Sequence, residues 1–409
     1  MIKMETYDCI IVGAGISGLY SAREILKKHP KWSVALAERY EGVGGRTYSY
    51  RHDGIKWEAG AGRIHSSHKR TLELIKEYGL HLIPLDDSIF YKESGSSPVV
   101  ENNFNTYYSM YIKPLEQLDP TILANHTILR ILIKLYGDTF TNNLLSYFPY
   151  RSEVTTLRAD LGLKSFREEM GSQKGYYIIK EGFSELIKCM KHDIQKRGCK
   201  ILVHHRLKNL RKDHITRCVF DFQGKQTILS AKHVVLALHN DAISEIPVFR
   251  SFDVLKHLKS QPLLRIYGIF KKPWFSDLKR IVTPGHLRYI IPVGNAIMLS
   301  YTDGNDTRIY GAIKDDKKLE DIIMKDIREL FPERHIPDPV FFKTHYWPTG
   351  ATYWLPGNYS PEELSEKSVH PLSDFPSVWL CGESWSMRQA WVEGALEHTE
   401  LCLKKSRLG

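Results

Sequence analysis

An α/β fold assembled from separated stretches of one chain is predicted by three observations. Near the N-terminus an apolar run, residues 7–12, ends in Gly13-Ala14-Gly15-Ile16-Ser17-Gly18. Apolar residues at helical spacing follow (Leu19, Ala22, Ile25, Leu26), and a second short apolar strand reaches Glu38. In the middle of the chain, residues 233–238 form a continuous apolar run, the pattern of a strand in a sheet covered on both faces. At the far end, residues 378–403 again read as strand, glycine turn and helix. A Rossmann-like domain drawn from residues 1–82, 174–240 and 345–409 is therefore expected. An α+β domain from 83–173 and 241–344 is interleaved with it.

The first glycine turn has the chemistry of a dinucleotide site. Gly13 permits the tight turn, Gly15 lets the backbone approach a pyrophosphate, and Gly18 lets helix and strand pack closely. The helix N-terminus presents free N–H groups and the positive end of its dipole to the phosphates. Glu38, twenty positions after Gly18, can accept hydrogen bonds from ribose hydroxyls and would repel a 2′-phosphate, which disfavours an NADP-type ligand. Further along, a helix is expected at 69–78. Residues 81–172 turn rich in aromatic and amide side chains, with a polar turn at Ser94-Gly95-Ser96-Ser97 and a core-facing helix at Ile128–Tyr136. Another helix starts after Glu181-Gly182. A strand at 200–203 and a hairpin at 219–222 and 227–229 come next. The second insert carries strands at 264–270, 287–291 and 296–301 and a helix near 319–330.

Composition excludes several classes. With 409 residues, 42% hydrophobic and 25% charged, the chain is globular and long enough for two domains. No apolar run is long enough to cross a bilayer, and the first strand begins too early for a secretory leader, so a soluble cytoplasmic or otherwise intracellular protein is expected. The six cysteines are scattered without a CxxC pair, as in a reduced protein, and form neither a disulfide frame nor a zinc site. The net charge of +10 is dispersed, with only short basic pairs such as Lys271-Lys272 and Lys404-Lys405, so no specific nucleic-acid partner is expected. His65 with His68, and His204 with His205, lack a surrounding ligand cluster, and no metal is expected.

Three further motifs decide which dinucleotide is bound. Glu41-Gly42-Val43-Gly44-Gly45-Arg46-Thr47 combines a glycine pair with a planar cation for phosphate. Trp57-Glu58-Ala59-Gly60-Ala61-Gly62-Arg63-Ile64 is a second glycine-rich loop. Cys381-Gly382-Glu383 opens a turn into Trp391-Val392-Glu393-Gly394-Ala395-Leu396, a second helix N-terminus able to stabilise negative charge on a reduced flavin ring.

Together these segments resemble the flavin-containing amine oxidase family, which includes monoamine, polyamine and L-amino acid oxidases. The likeness spans roughly 1–80, 174–240, 260–302 and 345–403 and is weak in 83–170. It implies that the Rossmann-like domain binds FAD and that the α+β domain binds the substrate. Gly13, Gly15, Ile16, Ser17, Gly18, Glu38, Arg39, Gly44, Gly45, Arg46, Gly60, Ala61, Gly62 and Arg63 then fall on cofactor positions. So do Leu207 (a backbone contact to adenine), Trp347, Gly382, Glu383, Trp391 and Val392. Four positions are similar to the L-amino acid oxidase branch. Arg63 matches an arginine that grips the substrate carboxylate, and Tyr301, in Ser300-Tyr301-Thr302-Asp303-Gly304-Asn305-Asp306, matches a tyrosine that holds it too. Trp391 matches the aromatic wall, and Ala390 a backbone that faces the substrate amine. A guanidinium and a phenol are suited to a carboxylate. Arg63 as a ligand of flavin or of a structural carboxylate, and Tyr301 as strand packing, are the bland alternatives.

The resemblance implies oxidative deamination of an amine or L-amino acid. Hydride passes from Cα to flavin N5, the imine is hydrolysed to a carbonyl compound and ammonia, and dioxygen is reduced to hydrogen peroxide. Two departures stand out. Arg265 occupies the place of a lysine that holds a water near N5, which leaves dioxygen or another acceptor open. Between Gly382 and Trp391 there is no cysteine to carry a covalent flavin, so non-covalent FAD is expected. The rival readings are an FAD-dependent desaturase or dehydrogenase of a non-amine and a flavin-binding interaction protein with little turnover.

Overall fold

The computed structural model describes residues 5–171 and 174–409. The first four residues and residue 173, where the expected domain boundary falls, lie outside the described residues. Two seven-stranded sheets organise the chain. In the first, Thr6–Val12 lies at the centre, flanked in parallel by Val34–Ala37, which pairs with Lys200–Leu202, and by Lys225–Leu236. The N-terminal half of Lys225–Leu236 pairs with Thr216–Phe222, which pairs in turn with His205–Arg211, and its C-terminal half pairs with Val378–Leu380. The parallel strands are apolar on both sides because both faces are covered. Ile10, Ile11, Leu36, Val234 and Val235 are all fully buried. Helices Ile16–Lys28, Phe183–Lys196 and Val392–Ser406 share the core on one face. The other face packs on Phe249, Phe252, Trp354 and Trp385.

The second sheet runs Phe341–Trp354, Leu258–Ile269, Ala296–Asp303, Tyr289–Val293, Arg280–Val282, Ile89–Tyr91 and Val100–Glu101. Helix Asp316–Leu330 buries Leu319, Ile323 and Ile327 against one side. The helical segment between 104 and 170 covers the other, where Leu132, Phe148 and Phe166 meet Tyr267 and Tyr301. The predicted strands recur here, two of them longer and one, Tyr289–Val293, shifted by two residues from the expected 287–291. Leu258–Ile269 begins six residues before the expected start at 264, passing Pro262 at an irregularity between Gln261 and Leu263.

The boundary placed between residues 344 and 345 falls inside the strand Phe341–Trp354. This strand pairs with Leu258–Ile269 from Ile269↔Phe341 to Leu258↔Trp354, so residues 345–354 belong to the second sheet. Pro348 is tolerated because this is an edge strand and because residues 348–350 lie where the pairing is interrupted. Among the described residues no helix is long and apolar enough to cross a membrane.

Candidate active site

A cavity of about 420 Å³ is lined by residues from both sheets. Every residue singled out from the sequence lines it except Gly18. Gly18 has the packing role read for it: a Cβ there would stand 1.8 Å from the Gly13 carbonyl oxygen. Gly13 has φ +98° and is pressed against Ala237, whose carbonyl oxygen would be 2.4 Å from an added Cβ. Gly15 is the opposite case. A Cβ there would meet nothing within 4 Å, because the cavity opens at that point. Gly15 is also the N-cap of helix Ile16–Lys28, which has no side-chain cap and no acidic residue in its first turn. Its first N–H groups are thus left for an anion. Glu38, 7% exposed, accepts from the Ala14 N–H (2.8 Å) and the Tyr40 N–H (3.0 Å), which leaves lone pairs for ribose hydroxyls. This cradle fits a dinucleotide.

Some predicted contacts are first of all struts. Glu383 Oε1 accepts from the backbone N–H of Thr352 (3.0 Å) and of Ala390 (2.8 Å), and Oε2 pairs with Arg46 Nη1 at 3.0 Å. Arg46 also donates to the Gly350 carbonyl at 3.1 Å. Three distant segments are thereby tied together beneath the cavity, and Ala390 is held at φ +66°. Trp347 Nε1 donates to the Ala59 carbonyl at 2.7 Å. Leu207 lies in strand His205–Arg211 beside an irregularity in its pairing, and exposed Arg39 stacks over Tyr40. Helix Val392–Ser406 begins at Trp391 without a side-chain cap. Its first-turn acid, Glu393, turns away to accept from the Arg70 and Thr71 N–H groups, so the N-terminus beside the cavity stays free of a carboxylate.

The four candidate catalytic residues are brought together in this cavity. The Arg63 guanidinium lies over the rings of Tyr150 (4.4 Å), Tyr176 (4.8 Å) and Trp391 (5.8 Å). Aromatic faces stabilise the cation. Its Nη1 nevertheless has no hydrogen-bond partner among the described residues and is buried, which is the condition of a cation waiting for an anion. Tyr301, 7% exposed, meets Tyr150 edge to face at 5.0 Å. Arg265 is fixed by donating from Nη1 to the Glu58 carbonyl (2.9 Å) and by lying over the Tyr301 ring at 5.1 Å. Trp391 rests edge-on against His68 at 4.9 Å. His68 Nδ1 accepts from the His65 N–H, so its Nε2 carries the proton donated to Glu169 at 3.1 Å.

Two buried acids in this cavity were not singled out from the sequence. Glu153 and Asp303 are 8% and 9% exposed and both line it. Asp303 accepts from the backbone N–H of Ser152 (2.9 Å) and Arg151 (3.3 Å) at the start of helix Ser152–Thr155. Glu153 Oε1 accepts from the Tyr353 hydroxyl at 3.2 Å, while Oε2 is buried with no partner among the described residues. Burial first, and then the charge of Asp303, push the Glu153 carboxyl up to about 7. Burial raises Asp303 as well. Asp303 stood within the quoted 300–306 motif, two residues after Tyr301 and hence on the same strand face. Glu153 belongs to the stretch where the resemblance is weak.

Comparison with known proteins agrees with this geometry. The family model for flavin containing amine oxidoreductase matches residues 16–400. Aplysianin-A of Aplysia kurodai is 23% identical, with 98% of this chain and 90% of that one aligned. An L-amino acid oxidase of Cerastes cerastes is 23% identical over 95% of this chain and 84% of that protein. The solved structure of wild-type putrescine oxidase bound to putrescine superposes with a TM-score of 0.77, at 15% identity and over 98% of both chains. A glycine cradle for a dinucleotide, an aromatic pocket beside it and a family match over nearly the whole length converge: this chain belongs to the flavin-containing amine oxidoreductases.

Proposed function

We propose that the chain holds FAD without a covalent link and oxidatively deaminates an L-amino acid, with Arg63 taking the substrate carboxylate. Family membership supports a flavin-dependent amine oxidoreductase. The choice of an amino acid over a simple amine rests on one observation, the Arg63 Nη1 that has no hydrogen-bond partner among the described residues and sits in a cage of tyrosine rings. Bound FAD would supply the hydride acceptor for Cα–H. Gly13, Gly15 and the N-terminus of Ile16–Lys28 would hold its pyrophosphate, Glu38 its ribose, and the N-terminus of Val392–Ser406 its ring carbonyl. Arg63 and Tyr301 orient the carboxylate, the Ala390 backbone faces the amine, and Trp391 and Trp347 exclude water. The first sheet serves as the cofactor domain and the second as the substrate domain.

Anaerobic titration of the FAD-loaded protein with amino acids, polyamines and arylalkylamines tests this reading. Bleaching of the flavin by at least one L-amino acid, and weaker bleaching by the amine lacking its carboxylate, is expected. A flavin that no amine reduces overturns it. Acid precipitation should leave a white pellet and a yellow supernatant, and a yellow pellet would show a covalent bond. Dioxygen is the acceptor in this reading. Arg265, held to Glu58 and Tyr301, makes reoxidation the step to measure, by mixing reduced protein with air-saturated buffer. The six unpaired cysteines suit the intracellular location proposed with it.

A further inference from the structure

An alkyl ammonium ionises near pH 10, roughly three units above neutrality. A free amino acid therefore reaches the protein with its nitrogen protonated. A protonated nitrogen has no lone pair to support loss of hydride from Cα, so a proton must leave before the reaction. Glu153 stands where it can be taken. Its side chain borders the cavity that contains Arg63, Tyr301 and Trp391, and it also borders a second cavity of about 200 Å³. Lys164, Glu168, Glu169, Arg388 and Glu397 make one part of that second cavity's wall polar, and Leu157, Leu161 and Met387 make the rest apolar. Glu153, Tyr353 and Trp391 are common to both. The carboxylate is nine-tenths buried, and one of its oxygens is committed to nothing else among the described residues.

We propose, resting on the amine-oxidising reading above, that Glu153 accepts the proton of the substrate ammonium and discharges it into the side cavity. In the step, one N–H bond of the ammonium breaks and an O–H bond forms at Glu153 Oε2. An ammonium and a carboxylate become a neutral amine and a carboxylic acid, and no electrons change hands. The carboxylic acid then loses its proton toward the second cavity and is ready for the next substrate.

The groups that face Glu153 suit this task. From strand Ala296–Asp303 come Asp303, which opposes a second negative charge, and Tyr301. Tyr353, from Phe341–Trp354, donates to Oε1 and favours the ionised form. Arg63 favours it too, and Tyr176 lies within electrostatic range. These opposed influences, with burial, leave a carboxyl that exchanges its proton near neutrality.

The test compares the wild type with Glu153→Gln, a change that keeps the shape and the bond from Tyr353. Anaerobic flavin bleaching by the most reactive L-amino acid is followed by stopped flow from pH 5.5 to 10. For the wild type the rate should rise through neutrality and then level off. For Glu153→Gln it should be at least about tenfold lower at pH 7.5, keep rising toward the ionisation of the free amine, and approach the wild type near pH 10. Asp303→Asn should move the wild-type plateau to lower pH. A Glu153→Gln profile of unchanged shape, or one lowered equally at every pH, overturns the proposal and reduces Glu153 to a structural or static ion-pairing group. A second readout needs no turnover. Infrared titration of the ligand-free protein should show a carboxylic acid carbonyl band that ionises near neutrality in the wild type and is missing from Glu153→Gln. Identical titrations of the two proteins also overturn it. A wild type that no amine bleaches strikes the functional reading, whereas bleaching with an unaltered pH profile strikes Glu153 alone.

Discussion

Arg63→Ala should weaken L-amino acids by roughly 30-fold to a few thousand-fold and leave simple alkylamines nearly unaffected. The loss follows from leaving a substrate carboxylate unpaired in a closed site, a change that costs about 2–5 kcal/mol, where each ~1.4 kcal/mol is tenfold. The tyrosine and tryptophan faces around Arg63 provide no replacement donor fork, so water would have to enter an aromatic cage to compensate. Arg63→Lys should fall between wild type and alanine, because a point charge survives but the two parallel donors do not. The measurement is the half-saturating concentration for anaerobic flavin bleaching, taken for one amino acid and for the amine with the same side chain. An equal loss for both would remove Arg63 from carboxylate binding and return it to a role in the fold or at the cofactor.

The second large effect is expected at Gly15. Its φ of −73° suits any residue, and an added Cβ meets no protein atom within 4 Å. Gly15→Ala should therefore fold, with a stability change of only about 1 kcal/mol for an alanine at an N-cap. The methyl group would project into the space where a pyrophosphate would meet the backbone. Overpacking of this kind costs about 1–3 kcal/mol, so FAD affinity should drop by roughly 10- to 100-fold. Flavin fluorescence quenching on titration and circular dichroism of the same sample separate the two outcomes. Gly18→Ala is the contrasting variant. With the Gly13 carbonyl 1.8 Å from the new Cβ, the damage is to the protein itself and should appear as a lower Tm before any flavin is added.

The glycine-lined part of the candidate site was legible because local sequence dictates it. The glycines, Glu38 and the helix they precede lie within 26 residues of one another and obey backbone geometry that few side chains allow. The aromatic wall at Trp391 was legible for the same reason, since helix register fixes it. Glu153 and Asp303 were not read as a pair. They lie 150 residues apart in sequence, meet only through packing of the helical segment on the second sheet, and carry no periodic signal of their own. The strand Phe341–Trp354 was missed because Pro348 and Gly350 are residues that a strand disfavours; its edge position and the interrupted pairing at 348–350 make them harmless there. The function of Glu383 was half legible. Its place beside the cofactor cavity follows from the motif, but its bonds to Thr352, Ala390 and Arg46 depend on three segments converging.

That same strand sets the mechanical character of the molecule. It pairs in the second sheet from Phe341 to Trp354, and its C-terminal end is also clamped at Thr352 by Glu383 and at Trp354 by Gln389 and Ser386, all from the segment leading into the last helix. A recombinant fragment cut anywhere between residues 341 and 354 would strip an edge from one half and a brace from the other. Separate expression of either half should therefore give an insoluble or unfolded product, because each would lack a strand or a brace that the other supplies.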